Sequence, residues 1–239
     1  MKTALLLSVL IAVPRLLNAA EAHIAVAANF AAPAKQLAEA FASQSGHKLV
    51  LSSGSTGKFY AQIRSGAPFD VLLSADEETP RRLEADKLAL PGSRFTYAVG
   101  KLVLWGPNIG TVDEQLLRAQ KFNRLAIANP RLAPYGMAAK ETLEKLGLWR
   151  ALQPKLVQGE NIAQTHHFVA SGNAELGFVA LSQVREERGY WPVPEDLHTP
   201  LRQDAVLLSR GTENRAAREF LDYLRTSPAR ERIRSFGYQ

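Results

Sequence analysis

The chain has 239 residues, 46% of them hydrophobic, a formal charge of +6 at pH 7 and no cysteine. That length supports one large domain or two small lobes with cores of their own. Without cysteine, disulfides, a thiolate nucleophile, an iron–sulfur cluster and a cysteine-ligated zinc site are all excluded.

The first element concerns export. Lys2 precedes an apolar run at residues 4–13, broken only by Ser8, and Ala20-Glu21-Ala22 offers a small-x-small cleavage site before His23. This is the order of a secretory signal peptide, and the run is too short to span a bilayer. Residues 1–22 are therefore expected to be a leader cleaved near Ala22, leaving a soluble exported protein with no lipobox cysteine.

Beyond the leader, strands and helices alternate. A strand at 23–27 leads into a helix to about Gln44, with Phe30, Ala34, Leu37 and Phe41 at helical spacing and Gly46 as its stop. A strand at 48–51 precedes Ser52-Ser53-Gly54-Ser55-Thr56-Gly57, and a helix starts near Thr56. A strand at 69–73, a helix at 80–88 and a strand-like stretch at 95–105 follow. Later come a strand at Leu125–Ala128, helices at 136–146 and 162–171, a strand at Leu176–Ala180, and helices at 213–225 and 229–236. Such alternation implies an α/β fold with mostly parallel sheets covered on both faces. Ligands then bind past the carboxyl ends of the strands, where helices begin.

Four of those junctions share a chemistry. Ala27-Ala28-Asn29-Phe30, Ser52 to Gly57, Ala133-Pro134-Tyr135-Gly136 and Glu160-Asn161-Ile162 each open a helix. A helix start presents unpaired N–H groups and the positive end of the helix dipole. Several converging on one cleft would hold an anion without arginine or lysine. A single such loop reads as an ordinary cap; four of one kind in one alternating fold point to a ligand.

Other chemistries fail on spacing. Gly57-Lys58 lacks the phosphate-loop pattern, because Ser52 stands where a glycine is needed and Phe59 follows the lysine. Ser53 stands where a nucleophile elbow around Ser55 requires glycine. His166 and His167 are adjacent, so on a helix they point about 100° apart and do not share an ion readily. Arg225, Arg230, Arg232 and Arg234 alternate with Leu224, Ile233 and Phe236 as on a solvated helix face, and no nucleic-acid motif accompanies them.

The chain resembles the periplasmic molybdate-binding proteins of molybdate importers, within the type II periplasmic binding protein fold. The matching runs include Ala27-Ala28-Asn29-Phe30, Ser52 to Gly57, Gly66-Ala67-Pro68, Leu73-Ser74-Ala75-Asp76, Tyr97 to Trp105, Ala133-Pro134-Tyr135-Gly136 and Gly177-Phe178-Val179-Ala180. The resemblance implies two lobes of mixed, mostly parallel sheets joined by two crossover strands: lobe I from 23–99 and 203–239, lobe II from 100–202. It implies capture of molybdate or tungstate for the membrane permease of an ABC importer, by a periplasmic monomer that is not an enzyme and carries no cofactor. Carried over by position, Asn29 would donate from the first loop with the N–H of Ala28 or Asn29 beside it. Thr56 would donate its hydroxyl and N–H, with Ser55 close by. The N–H groups of Tyr135 and Ile162 would close the cage. Ala180 stands where some family members have a tyrosine; others lack it and use asparagine in the first loop, as here. Another tetrahedral oxyanion such as sulfate is the alternative ligand.

Overall fold

The computed structural model describes residues 19–239, so the positive start and apolar run of the expected leader lie outside the described residues. β1 (Glu21–Ala27) runs into a 3-10 turn at Ala28–Phe30 and then α1 (Ala31–Ser45). Phe30, expected on the helix, sits in that turn and is fully buried. α1 stops at Gly46, whose φ of 72° suits a residue without Cβ. β2 (Lys48–Gly54), α2 (Thr56–Arg64), β3 (Val71–Leu73) and α3 (Glu78–Ala85) follow, then β4 (Phe95–Gly100). Only Lys101 separates β4 from β5 (Leu102–Trp105), the first strand of a second sheet. The strand-like stretch at 95–105 is thus two strands in two sheets.

The second half continues with α4 (Glu114–Ala119), β6 (Leu125–Ala128), α5 (Pro134–Lys145), α6 (Trp149–Leu152) and β7 (Leu156–Gly159). α7 (Ile162–Ala170), β8 (Leu176–Ala180), α8 (Leu181–Val184) and β9 (Tyr190–Pro192) complete it. β10 (Leu201–Leu207) then returns to the first sheet, followed by α9 (Arg215–Leu224) and α10 (Ser227–Ser235).

The sheets have the orders β2-β1-β3-β10-β4 and β7-β6-β8-β5-β9. Each is a mixed sheet built alike. Three parallel strands meet one antiparallel strand, β10 in the first sheet and β5 in the second, which pairs on its other side with β4 or β9. Four of the five strands in each sheet therefore run one way, and their carboxyl ends share an edge.

Both faces of each sheet are covered. Ile24, Val26, Phe30, Leu37 and Phe220 pack on one face of the first sheet, and Phe59, Ile63, Leu72 and Leu83 on the other. In the second, Leu104, Ile127, Leu143 and Phe178 pack opposite Val103, Ala126 and Val179. Each such side chain contributes about 1.5–3 kcal/mol of burial against the entropy of ordering the chain. Ala27, Ala28 and Ala75 of the first half join the second half's cluster, so the halves touch through packed residues.

The expected cleavage motif is part of the fold. Glu21 and Ala22 pair with Lys48 and Leu49, and the Ala20 N–H donates to His47 Nδ1 at 3.1 Å.

Candidate functional site

Four strand-to-helix junctions meet between the two sheets: β1 to α1 and β2 to α2 from the first half, β6 to α5 and β7 to α7 from the second. Ala28, Asn29, Thr56, Tyr135 and Ile162 line one small cavity there, together with Ala27, Gly54, Ala75, Ala133, Pro134 and Asn161. Ser55 does not line it. It is the residue before α2, it is buried, and its Oγ has no partner among the described residues. None of the lining residues is charged. The space open to the centre of a water molecule is only about 10 Å³, so the cavity is small and closely walled.

Local sequence decides which N–H groups are free. α7 starts at Ile162 because Asn161, in extended conformation, turns its side-chain oxygen onto the N–H groups of Ala163 and Gln164, each at 3.0 Å. That cap leaves the Ile162 N–H without a partner among the described residues. α5 starts with Pro134, which has no N–H, and Gly136 donates to Ala133 O at 2.9 Å. Tyr135 N–H is what remains. Gly136 is required in that turn, since a Cβ there would collide with the Ala128 carbonyl.

In α2 the Gly57 N–H crosses the cleft to Leu132 O at 2.8 Å, and Thr56 N–H is left over. Thr56 Oγ1 accepts from the Ala75 N–H at 3.1 Å, so its own proton stays available. The N–H groups of Ala28 and Asn29, in the 3-10 turn, likewise have no partner among the described residues.

The Asn29 side chain departs from expectation. Its Nδ2 donates to Gln203 Oε1 at 2.8 Å and to Tyr238 Oη at 3.0 Å, which uses both amide hydrogens. The first loop therefore offers main-chain N–H to the cavity, and its side chain braces the wall behind. Sequence reasoning missed that wall: Gln203, Tyr238, Tyr97 and Ser182. No local pattern marks these residues. Burial pushes the phenols of Tyr97, Tyr135 and Tyr238 above their ordinary range, so they stay neutral.

The halves are also tied at the rim, where Lys58 Nζ reaches Glu160 Oε2. A Cβ on Gly57 would lie 3.0 Å from both the Cα and the carbonyl oxygen of Leu132, so this approach depends on glycine. A larger groove of about 570 Å³ flanks the cleft, rimmed by Arg82, Arg131, Arg202, Glu77, Glu78 and Glu141. Its charges of both signs face solvent, and it lacks the convergent donors of the smaller cavity.

Metal and membrane readings find no support among the described residues. No group of three His, Asp or Glu side chains could hold a metal ion, and no helix is long and apolar enough to cross a membrane. His166 stacks flat on Trp105, with ring centroids 4.9 Å apart, as a packing partner.

Two halves of matched topology, closing main-chain donors around an uncharged pocket, define a protein that holds a small solute between its lobes. The chain belongs to the bacterial extracellular solute-binding protein family, whose model matches residues 22–239. It is 54% identical to the molybdate-binding protein ModA of Azotobacter vinelandii, over 92% of this chain and 90% of that protein. It is 48% identical to the molybdate-binding protein ModA of Rhodobacter capsulatus, over 99% of this chain and 94% of that one. Among solved structures, the periplasmic molybdate-binding protein of Azotobacter vinelandii superposes with a TM-score of 0.87 at 41% identity, covering 91% of this chain and 98% of that chain.

Proposed function

We propose that this protein captures molybdate, and tungstate as its close analogue, between its two halves in the periplasm and hands it to the membrane permease of an ABC importer. One observation carries the reading: free N–H groups at the helix starts of both halves converge on a cavity whose lining bears no charge. The donors are the N–H groups of Ala28 or Asn29, Thr56, Tyr135 and Ile162, with the hydroxyl of Thr56, and with Ser55 close by. Each such bond to a charged acceptor contributes about 1.5–3 kcal/mol. Together they exceed the roughly 8 kcal/mol of micromolar binding, and the surplus offsets dehydration of the dianion.

A donor-only cage also selects. It offers no acceptor to a proton, so hydrogen phosphate is disfavoured against a fully deprotonated oxyanion.

The moving units are residues 23–99 with 203–239, and 100–202. Binding shuts one on the other because the anion touches both. The protein acts as a monomer, without a cofactor, and catalyses nothing. Its leader, residues 1–22, is cut near Ala22.

Titration calorimetry with molybdate, tungstate, sulfate and phosphate tests the reading. Saturable heat with the first two and little with the others is expected. In a thermal scan the same ligands raise the melting point as RT ln(1 + [L]/Kd). Preference for sulfate would transfer the cage to another oxyanion; no heat with any would end the proposal.

A further inference from the structure

Behind the cavity, Gln203 is fully buried in β10, beside a register shift between Gln203 and Asp204. Its Oε1 accepts from Asn29 Nδ2 at 2.8 Å and lies 3.2 Å from Tyr97 Oη; its Nε2 donates to Tyr135 Oη at 3.3 Å. One neutral side chain thus grips a donor-bearing loop from each half. Around it, Tyr238 Oη and Ser182 Oγ both donate to Asn29 O, at 2.8 and 3.1 Å. The crossover keeps room for this link. A Cβ on Gly100 would strike Tyr135 Oη and come within 2.6 Å of Gln203 Nε2.

We infer that Gln203 is a positioning residue for anion capture: it sets the first loop and the start of α5 in register and joins the two halves only when they are shut. The inference rests on the oxyanion reading above and adds a residue that touches no ligand. When the halves part, Gln203 Nε2 loses Tyr135 and Asn29 O loses Ser182. Those bonds therefore favour the shut form and act on release more than on encounter. An amide is the required chemistry. It donates one way and accepts the other without bringing charge near a dianion, which a carboxylate would do.

The test uses the full mature chain and molybdate, with calorimetry for affinity and stopped flow for rates. Gln203→Leu should raise Kd by roughly tenfold or more, chiefly through faster dissociation. Tyr135→Phe, which keeps the main-chain donor, should move the same way by less. The double variant should fall short of the product of the two effects.

Gln203→Glu gives a readout that a purely structural role would not produce. Protonated, it imitates the amide; ionised, it repels the guest. Its affinity should improve several-fold from about pH 8 to about pH 5.5 while the wild type changes little. Unchanged dissociation in both Gln203→Leu and Tyr135→Phe overturns the inference, as does a flat pH response of Gln203→Glu. Wild-type protein that gives no heat with molybdate fails the ligand reading itself, and this inference with it.

Discussion

The two halves share a strand order and present the same two junctions to the cavity, yet they arm them differently. In the first half α2 has no side-chain cap: among the described residues Ser55 Oγ is buried without a partner, and Thr56 keeps a free hydroxyl proton. In the second half α7 is capped by Asn161 and α5 opens on Pro134, so each supplies one main-chain N–H and no hydroxyl. One half offers side chains open to substitution. The other offers backbone fixed by its caps. Recognition in this cage is therefore editable from one side and largely conserved in chemistry from the other, whatever side chains the second half carries.

That contrast can be broken most directly from the backbone side. Ile162→Pro removes an N–H at the first position of α7, where proline is well tolerated and Asn161 already has extended dihedrals. Molybdate affinity by calorimetry should fall by about a hundredfold, since one charge-assisted bond is lost and the ring crowds the guest. Far-UV dichroism should remain near wild type. On the side-chain side, Thr56→Ala should weaken affinity roughly tenfold, the worth of one hydroxyl donor.

Ser55→Ala sharpens the comparison by splitting two readouts. Removing a buried oxygen with no partner among the described residues should raise the ligand-free melting temperature by a few degrees, about 1 kcal/mol, while affinity changes less than in Thr56→Ala. A ligand-free protein that loses stability instead would mean that Ser55 has a structural partner. Glu160→Gln breaks the rim pair with Lys58. The two side chains are 65% and 43% exposed, so screening leaves at most about 1 kcal/mol, visible in dissociation at low salt and gone at high salt.

The smallest expected effect is none. Burial holds the Tyr97, Tyr135 and Tyr238 phenols above their ordinary range and no charged side chain lines the cavity, so affinity should be level between about pH 6 and about pH 9. Had burial lowered those pKa values, binding would fall as pH rose and phenolates formed. A slope in that window would point to a titrating group at the site.

What the sequence made legible follows from range. The four junctions were readable because helix starts are local: an asparagine, a serine pair or a proline marks each within a few residues. Their convergence was readable because alternating strands and helices place the junctions along one edge. The wall behind Asn29 was not readable, since Gln203 and Tyr238 lie 174 and 209 residues from it. β10 escaped notice for a related reason. Its interior holds Gln203 and Asp204 side by side at a bulge, which breaks the apolar pattern that marks a buried strand. The start of α5 was set two residues late, because Pro-Tyr-Gly resembles a turn as much as a first helical turn. The resemblance implies that Asn29 donates to the guest beside a main-chain N–H, and nothing in the local sequence shows that Gln203 and Tyr238 take up both hydrogens of its side-chain amide.

Residues 238 and 239 have a consequence for how the first loop is held. Tyr238 donates to Asn29 O, and Gln239 exchanges main-chain bonds with Val99 at 2.8 and 3.0 Å. The first half is itself completed by β10, α9 and α10, so this brace forms with the last of that half's elements. A chain lacking residues 238 and 239 would keep the four junctions but lose the hydroxyl that Asn29 O and Asn29 Nδ2 bind, and so would seat its first loop less firmly.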